Sequence, residues 1–273
     1  MMKTPAVSVL MPAYNAERYI GEAIDSILSQ SFTDFELIIS DDASMDRTWD
    51  IIKQYKQKDT RIRISRNTKN KYIAENRNIL VKLAKGKYIA WQDSDDISLP
   101  TRLADQYAYL EGHPHVGIVG GYLQFFDDQG VKSIRKYATG DAELRKNIFK
   151  YSPVAQPTAM IRKECFDKVG LYNPAYPPAE DIDMSFRIGA LYQFANLPQI
   201  TLRYREHHVS ATFKKLRKIE LATLAIRRKH NGTHGYYMTW ADTLYNLLQY
   251  ISLFIVPGRI KIALFNAIRN SHT

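Results

Sequence analysis

The sequence predicts an α/β fold in which a doubly wound, parallel sheet carries helices on both faces. Three observations predict it. Short apolar runs rich in β-branched residues alternate with segments of helical periodicity, and polar clusters follow directly after three of these runs. The chain has 273 residues, 45% of them hydrophobic, which is enough to bury a full α/β core. Ligands of such sheets bind outside the carboxyl ends of the strands, so we expect the polar clusters to meet there.

The first half of the chain supplies four predicted strands with three predicted helices between them. The run "VSVLMPAYN" is β-branched and ends in a turn, which is typical of a buried strand. The segment after it repeats apolar residues at helical spacing, so one face of this helix is expected to pack on the sheet. Strands are predicted at Val7–Asn15, Phe35–Ser44, Arg61–Ser65 and Lys87–Gln92, and helices at Glu17–Gln30, Met45–Gln57 and Glu75–Ala84.

The second half is less regular. It contains a strand-like run, a proline-rich loop that leads into a helix, and apolar or basic segments near the C-terminus. The last long apolar run is shorter than the ~20 residues that a membrane-spanning helix needs, so no transmembrane helix is predicted. The predicted features are a strand at Val116–Phe126, a loop into a strand at Ser152–Arg162, a helix from Glu180, a basic helix at Lys214–Lys229, the apolar run Leu244–Val256 and an amphipathic stretch at Arg259–Arg269.

Composition and charge limit the setting in which the protein works. Cys165 is the only cysteine, which excludes an internal disulfide and favours a reducing, cytoplasmic compartment. The N-terminus lacks the apolar run of a signal peptide. The net charge is +10, and from Arg203 onward 12 Lys and Arg face 3 Asp and Glu, a net charge of +9. Such a segment suits nucleic acid, anionic lipid or plain solvation.

Three carboxylates follow the fourth predicted strand within four residues, at Asp93, Asp95 and Asp96, with Ser94 between them. Carboxylates this close repel one another unless a cation lies among them, and oxygen ligands suit Mg²⁺ or Mn²⁺ shared with substrate phosphates. The alternative is that Ser94 or Asp96 caps a helix at Leu99–Tyr109. Capping requires one such residue, not three.

The sequence also resembles a known family. Four stretches carry the resemblance in the family's order and spacing, over residues 5 to 212: "VSVLMPAYNAERYIGEAIDSILSQSFTDFELIISDDASMDRT", "AENRNILVKLAKGKYIAWQDSDD", "PAEDIDMSFRI" and "YREHHVSAT". Together they are similar to glycosyltransferase family 2. The resemblance implies a GT-A fold, with a Rossmann-like, mostly parallel nucleotide-binding sheet. It implies a catalytic domain at 1–212, with a nucleotide-binding half to about residue 100 and an acceptor-binding half at 101–212, and leaves 213–273 as a basic, amphipathic helical segment.

The resemblance assigns the uridine to the first two strand ends. The turn from Pro12 to Asn15 would frame the uracil, and Tyr14 offers a flat face for stacking. Asp41 would accept a hydrogen bond from the base. The neighbouring Asp42 is expected to organise the turn with Ser44 and Asp46. A packed surface tyrosine is the alternative for Tyr14.

Arg77 in "ENRN" matches a family arginine near the uridine and phosphates, and a salt bridge on the helix surface is its alternative. The family often has glycine between the third strand and this arginine. Here "RNTKNKYIAENRN" has none, which leaves the nucleotide contacts of that loop open.

The acidic loop would hold the diphosphate end of the donor. Asp93 and Ser94 would contact the nucleotide or support the metal, Asp95 would coordinate Mn²⁺ or Mg²⁺, and Asp96 would support the loop or the metal.

Near the end of the catalytic domain, His207 matches a family histidine that closes over the diphosphate or completes the metal site. His208 competes for that role, and Arg205 would add positive charge near the leaving group.

The catalytic base is implied by "PAEDIDMSFRI". Asp181 matches the family aspartate that takes the acceptor proton, with Glu180 supporting it. One base and one displacement invert the anomeric configuration. The alternative is N-capping of a helix at Ile182–Ala190.

The implied function is an inverting glycosyltransferase that uses a UDP-sugar. Its acceptor would be a glycan or a lipid-linked glycan, in synthesis of O-antigen, lipooligosaccharide or capsule. The basic C-terminal segment would rest on the cytoplasmic face of the inner membrane, pack on the domain or form an oligomer. No nucleic-acid partner is expected.

Two other classes compete. A sugar-phosphate nucleotidyltransferase normally has a basic, glycine-rich loop after its first strand, which "MPAYNAERYIG" does not resemble. A non-catalytic, basic carbohydrate-binding module would not need the acidic loop together with Glu180 and Asp181.

Overall fold

Nine strands form one sheet in the residues that this computed structural model describes, which are 4–176, 178–206, 211–256 and 261. The order across the sheet is β3-β2-β1-β4-β8-β6-β9-β5, and β7 pairs with β6. The strands are β1 (Val7–Ala13), β2 (Phe35–Asp41), β3 (Ile62–Arg66), β4 (Tyr88–Trp91), β5 (Ile97–Ser98), β6 (Val116–Asp127), β7 (Gly130–Arg135), β8 (Met160–Arg162) and β9 (Gln193–Arg205).

Strands β1 to β4 form the parallel half of the sheet. β1 pairs in parallel with β2 and β4, and β2 pairs in parallel with β3. The carboxyl ends of β1, β2 and β4 therefore lie along one edge, as the alternation of strand and helix predicts.

The second half of the sheet brings a distant strand back to this edge. β8 runs antiparallel to both β4 and β6, while β6 and β9 are parallel. The two-residue strand β5, which follows the acidic loop, pairs antiparallel with β9 and places Ile97 opposite Arg203. The end of β9 therefore lies beside the acidic loop.

Helices cover both faces of the sheet. They are α1 (Ile20–Leu28), α2 (Thr48–Lys58), α3 (Tyr72–Leu83), α4 (Arg102–Gly112), α5 (Asp141–Lys146), α6 (Lys163–Val169), α7 (Glu180–Gly189), α8 (Ala211–His230) and α9 (Trp240–Ile255), with a 3₁₀ turn at Gln156–Thr158. Successive residues of β1 point to opposite faces. Val9 and Met11 pack with α1, α2 and α4, whereas Leu10 packs with α3 and α5 to α8.

The C-terminal helices are held by polar contacts. In α9, Thr239 and Asp242 form a capping box, and Lys150 pairs with the Asp242 carboxylate at 3.3 Å. Across the described ranges, no helix is both long and apolar enough to cross a bilayer. The amphipathic stretch predicted at Arg259–Arg269 lies outside these ranges except for Lys261.

The α/β class, the parallel first half and the helices on both faces are confirmed. The first four predicted strands and three predicted helices are present, with ends that differ by a few residues. The prediction lacks β5, β7, α5, α6 and the long strand β9.

Candidate active site

The acidic loop is shaped by a buried glutamine beneath it. Gln92 follows β4, and its Nε2 donates to the carbonyl oxygens of Asp93 at 3.0 Å and Asp96 at 2.9 Å. Its Oε1 accepts from the Ser98 hydroxyl at 2.6 Å. Both polar atoms of this amide are used within the fold. The amide therefore ties together the two ends of the loop, at Asp93 and Asp96.

A buried arginine supports the same loop from α4. Arg102 donates to the Trp91 carbonyl at 2.7 Å, to Ser98 Oγ at 2.8 Å and to Gln92 Oε1 at 3.2 Å. Burial lowers the pKa of Arg102 to about 10, although the negative charges of Asp96 and Asp93 oppose this shift. Sequence reasoning missed this residue because an arginine in the first turn of a helix is usually exposed.

Asp96 is buried and only half satisfied. Its Oδ1 accepts from the Arg205 backbone N–H at 2.9 Å, whereas its Oδ2 has no hydrogen-bond partner within the described part of the chain. Burial raises the pKa of Asp96 well above its ordinary value, and Asp95 and Asp93 add to this. A buried carboxylate oxygen without a partner is costly, and a cation removes that cost.

Arg205 anchors the loop to α1. Its Nε donates to the Asp95 carbonyl at 3.0 Å, and its Nη2 lies 2.6 Å from the Glu22 carboxylate. The guanidinium also packs on the rings of Tyr19 and Phe126, with centroids at 4.4 and 4.5 Å. This differs from the expectation that Arg205 adds charge near a leaving group, because the guanidinium is already engaged by the loop and by Glu22.

Arg77 joins the start of α7 to the acidic loop. Its Nη1 lies 2.6 Å from Glu180 Oε1, and its Nη2 lies 3.8 Å from Asp93 Oδ1. The guanidinium also lies over the Trp91 ring, 5.3 Å from the centroid. Arg77 and Glu180 are both buried. The alternative of a salt bridge on the helix surface is therefore excluded.

Asp181 follows Glu180 in the first turn of α7. The N-cap residue is Ala179, and no side chain caps this helix, so the capping alternative for the pair is not what the structure has. Burial raises the pKa of Asp181 above its ordinary value, although Arg77 opposes the shift. Burial likewise raises the pKa of Asp93 to about 6, with Arg77 opposing and Asp95 and Asp181 reinforcing the shift. Asp181 and Asp93 are therefore within electrostatic reach of each other.

A similar result excludes capping by the acidic loop. α4 begins at Arg102 with Thr101 as its N-cap, and no side chain caps it. Neither Ser94 nor Asp96 therefore caps this helix.

The ends of β1 and β2 form the second part of the site. Pro12 is buried in β1, Tyr14 is 45% exposed at its end, and Asn15 adopts a left-handed backbone with φ 49°. The Asn15 N–H donates to Ser44 Oγ at 2.9 Å, and its Oδ1 accepts from the Met45 N–H at 2.9 Å. These bonds fix the turn below the exposed tyrosine.

Asp41 and Asp42 differ from their expected surroundings. The buried Asp41 pairs with Arg66 at 2.9 Å and accepts from the Ser44 N–H at 3.3 Å. Asp42 was expected to organise the Ser44 turn. Its Oδ1 instead accepts from Asn67 Nδ2 at 2.7 Å and from the Lys71 N–H at 2.8 Å. It therefore shapes the loop between β3 and α3, which has no glycine.

No described trio of His, Cys, Asp or Glu side chains is arranged to hold a metal ion by itself. His207 and His208 lie outside the described residues, so the expected histidine ligand is not located. The oxygen donors of the loop, the unpartnered Asp96 Oδ2 and the raised pKa of Asp93 fit a hard divalent cation that shares substrate oxygens.

Comparisons with known proteins agree with this geometry. The family model "Glycosyl transferase family 2" matches residues 8–170. An uncharacterized glycosyltransferase of Methanocaldococcus jannaschii, MJ1057, is 31% identical over 94% of this chain and 91% of its own. The Escherichia coli UDP-Glc:alpha-D-GlcNAc-diphosphoundecaprenol beta-1,3-glucosyltransferase WfaP is 29% identical over 78% of this chain and 82% of its own.

The fold also matches solved structures. S. aureus TarS 1–349 in complex with UDP-GlcNAc has a TM-score of 0.63 and 21% identity over 93% of this chain and 82% of that chain. The match covers 44% of the longer TarS chain.

The mixed sheet with helices on both faces, together with its match to the TarS structures, defines a GT-A fold. The chain belongs to glycosyltransferase family 2. Both the predicted family and the predicted GT-A fold are confirmed, and the family assignment favours a glycosyltransferase over a nucleotidyltransferase or a non-catalytic module.

Proposed function

We propose that the protein is an inverting glycosyltransferase that moves a sugar from a UDP-sugar to a glycan or lipid-linked acceptor. One observation carries the proposal. Arg77 lies 2.6 Å from Glu180 and 3.8 Å from Asp93, so it ties the start of α7 to the acidic loop. Asp181, which follows Glu180, would then face the loop where a nucleotide diphosphate would lie.

The donor would lie along the edge made by β1, β2 and β4. The exposed Tyr14 ring provides a stacking surface, and the turn beneath it is fixed by hydrogen bonds. The naming of UDP-Glc for WfaP and the UDP-GlcNAc complex of TarS support a UDP-sugar donor. The residues proposed to bind the nucleotide are Pro12, Tyr14, Asn15, Asp41, Arg77, Asp93 and Ser94.

A divalent cation, Mn²⁺ or Mg²⁺, would be held by Asp95 with the support of Asp96, and His207 would complete the set. When bound, the cation supplies positive charge that neutralises the departing diphosphate. Gln92, Arg102 and Arg205 hold the loop backbone in place, so the carboxylates would be positioned before the substrate arrives.

Asp181 would act as general base. Its carboxylate takes the proton of the acceptor hydroxyl as that oxygen bonds to the anomeric carbon, while the bond from this carbon to the diphosphate oxygen breaks. The electron pair leaves with UDP, and the configuration inverts, so an α-linked donor gives a β-glycoside. The raised pKa of Asp181 suits a base better than an ordinary aspartate would.

We propose that residues 1–100 bind the donor and that residues 101–212 bind the acceptor. The diphosphoundecaprenol-linked acceptor named for WfaP supports a lipid-linked acceptor. We propose a role in bacterial surface polysaccharide synthesis, such as O-antigen, lipooligosaccharide or capsule. We accordingly propose that the enzyme works in the cytoplasm at the inner membrane.

The test measures UDP release from UDP-glucose, UDP-galactose and UDP-GlcNAc with Mn²⁺ and a diphosphoundecaprenol-linked GlcNAc acceptor. Asp181→Asn should lower kcat by roughly 10²–10⁴-fold with UDP affinity unchanged. Asp128→Asn, at an exposed aspartate that pairs with Arg18, is the matched control and should leave kcat unchanged. Turnover of Asp181→Asn at the unaltered rate would overturn the proposal.

A further inference from the structure

Helix α9 presents an apolar face that nothing in the described chain covers. Its large apolar side chains recur at positions i, i+4, i+7, i+8, i+11 and i+14, which is one side of an α-helix. The Trp240 side chain is 80% exposed and that of Phe254 is 61% exposed. We call this set the α9 stripe, and its members are Trp240, Leu244, Leu247, Leu248, Ile251 and Phe254.

The opposite face of α9 is firmly packed, so the stripe has a fixed orientation. Asn246 donates to the Phe149 carbonyl at 3.0 Å, and Arg227 of α8 donates to Gln249 Oε1 at 2.9 Å. Arg227 also donates to the Lys150 carbonyl at 2.5 Å. The stripe therefore points away from the catalytic domain as part of its native structure.

Positive charge lies beside the C-terminal end of the stripe. The Arg217 guanidinium of α8 lies 5.0 Å from the Phe254 ring centroid, and Lys218 and Arg228 are exposed on the same helix. α9 itself contains no Lys or Arg, and its only acidic residue, Asp242, is buried. The sequence from 257 to 273 has three basic residues and no acidic ones, and one of the three, Lys261, pairs with Glu220 of α8.

We propose that α9 lies flat on an anionic phospholipid bilayer, with the α9 stripe inserted among the acyl chains and the basic residues of α8 against the headgroups. An apolar helix face with cations at its edge and an exposed tryptophan is typical of interfacial binding. At 1.5 Å per residue the helix is ~24 Å long, too short to span the bilayer core but suited to lying along its surface. The proposal rests on the lipid-linked acceptor proposed above, which an enzyme on the bilayer would reach directly.

A second copy of the chain is the competing occupant. In a parallel pairing of two α9 stripes, Arg217 beside Phe254 would face the same cation of the partner copy, where like charges repel. In an antiparallel pairing Arg217 would face the partner's α9, whose only acidic residue, Asp242, is buried, so it would gain no opposite charge. A bilayer containing anionic lipid attracts those cations, so charge favours the membrane.

The first experiment is vesicle flotation of the full chain, with phosphatidylcholine vesicles and with vesicles that also contain phosphatidylglycerol. The protein should float with the anionic vesicles, and the double variant Leu248→Ser/Phe254→Ser should lose at least about tenfold in partitioning. Leu191→Ser removes an apolar side chain that is 59% exposed elsewhere, and it should float like the unaltered protein. Equal flotation of the double variant, or no flotation of the unaltered protein, would overturn the proposal.

Trp240 is a probe built into the stripe. Its fluorescence should shift to shorter wavelength with anionic vesicles and be quenched by brominated acyl chains, and Trp240→Phe should abolish both changes.

Light scattering tests whether a second copy of the chain occupies the stripe. A dimer that the double variant dissociates, together with no vesicle binding, would assign the stripe to self-association instead.

The two proposals fail separately. UDP release from a UDP-sugar in the absence of lipid reports only on the catalytic site, and the double variant should leave it unchanged. Vesicle binding without any UDP-sugar turnover would retain the membrane surface and overturn the proposed function alone.

Discussion

The Arg77 guanidinium and the Glu180 carboxylate, separated by 103 positions in the sequence, lie 2.6 Å apart and are both buried. This pair fastens α3 to the first turn of α7. The remaining Glu180 oxygen, Oε2, has no hydrogen-bond partner within the described ranges. Arg77 is therefore the main group that compensates the negative charge of Glu180.

Glu180→Ala should destabilise the protein by about 3–5 kcal/mol, because it leaves the Arg77 charge buried beside a vacated partner. Chemical denaturation measures the change. Asp128→Ala, which breaks the fully formed but exposed pair with Arg18, should cost less than about 1 kcal/mol. Equal losses in the two variants would contradict a buried, structural role for the pair.

Gln92→Leu should weaken UDP binding in the presence of Mn²⁺ by roughly 10–100-fold, because the loop loses the donors that fix the Asp93 and Asp96 carbonyls. Isothermal titration calorimetry measures the affinity. Gln199→Leu removes an exposed amide that bonds Asp105 and should leave it unchanged. If Gln92→Leu binds UDP normally, the glutamine does not position the loop for the ligand.

The rate of UDP release should fall as pH decreases through a pKa above the ordinary aspartate value of about 3.9, because burial raises the pKa of Asp181 and only its charged form is a base. Arg77 opposes that shift. Removing its charge in Arg77→Met should move the acid limb to higher pH, whereas Arg77→Lys should keep it nearer its original position. If the acid limb does not move in Arg77→Met, Arg77 does not lower the pKa of the catalytic base.

Because of Asp183, the free energy of unfolding should decrease as the pH falls into the acid range. Burial acts to raise its pKa, but contacts with His230, Arg187 and Lys229 at 2.8–3.1 Å outweigh burial and hold the pKa well below its ordinary value. The stabilisation is fully present above the unfolded-state pKa of about 3.9 and is lost as pH falls towards the folded-state pKa. Asp183→Asn should cost about 3 kcal/mol at pH 7.

Denaturation at several pH values measures this dependence. The difference between the unaltered protein and Asp183→Asn should stay constant from pH 7 to about 5 and shrink below about pH 4. Asp50→Asn, at an exposed aspartate that pairs with Lys53, should show little dependence. If this stability difference instead grew as the pH fell, the ion pairs of Asp183 would not be what holds α7 to α8.

The parallel half of the fold was predictable because β1, β2 and β4 are local apolar runs and because a helix follows each of β1, β2 and β3. β9 was missed because Pro198 interrupts "QFANLPQITLRYR" and the run is not uniformly apolar. Its identity depends on pairing with β6, where the register shifts near Tyr122. β5 has two residues and no periodicity to detect.

The candidate site likewise has residues that could be predicted from the sequence and contacts that could not. Asp93 and Asp95 are visible in sequence as carboxylates that cluster after a strand, whereas Asp181 was assigned through the family resemblance. The partners of Arg77 and the burial of Arg102 depend on elements that meet only in the folded chain. Arg205 shows the same limit, since its bonds to Glu22 and the Asp95 carbonyl could not be read from "YREHHVSAT".

The most direct measurement is a crystal structure of the protein with UDP and Mn²⁺, in which anomalous scattering locates the metal. The account predicts manganese between Asp95 and the diphosphate, with the uracil at Tyr14 and the diphosphate facing Asp181. An acidic loop without manganese, or UDP bound away from Asp181, would contradict it.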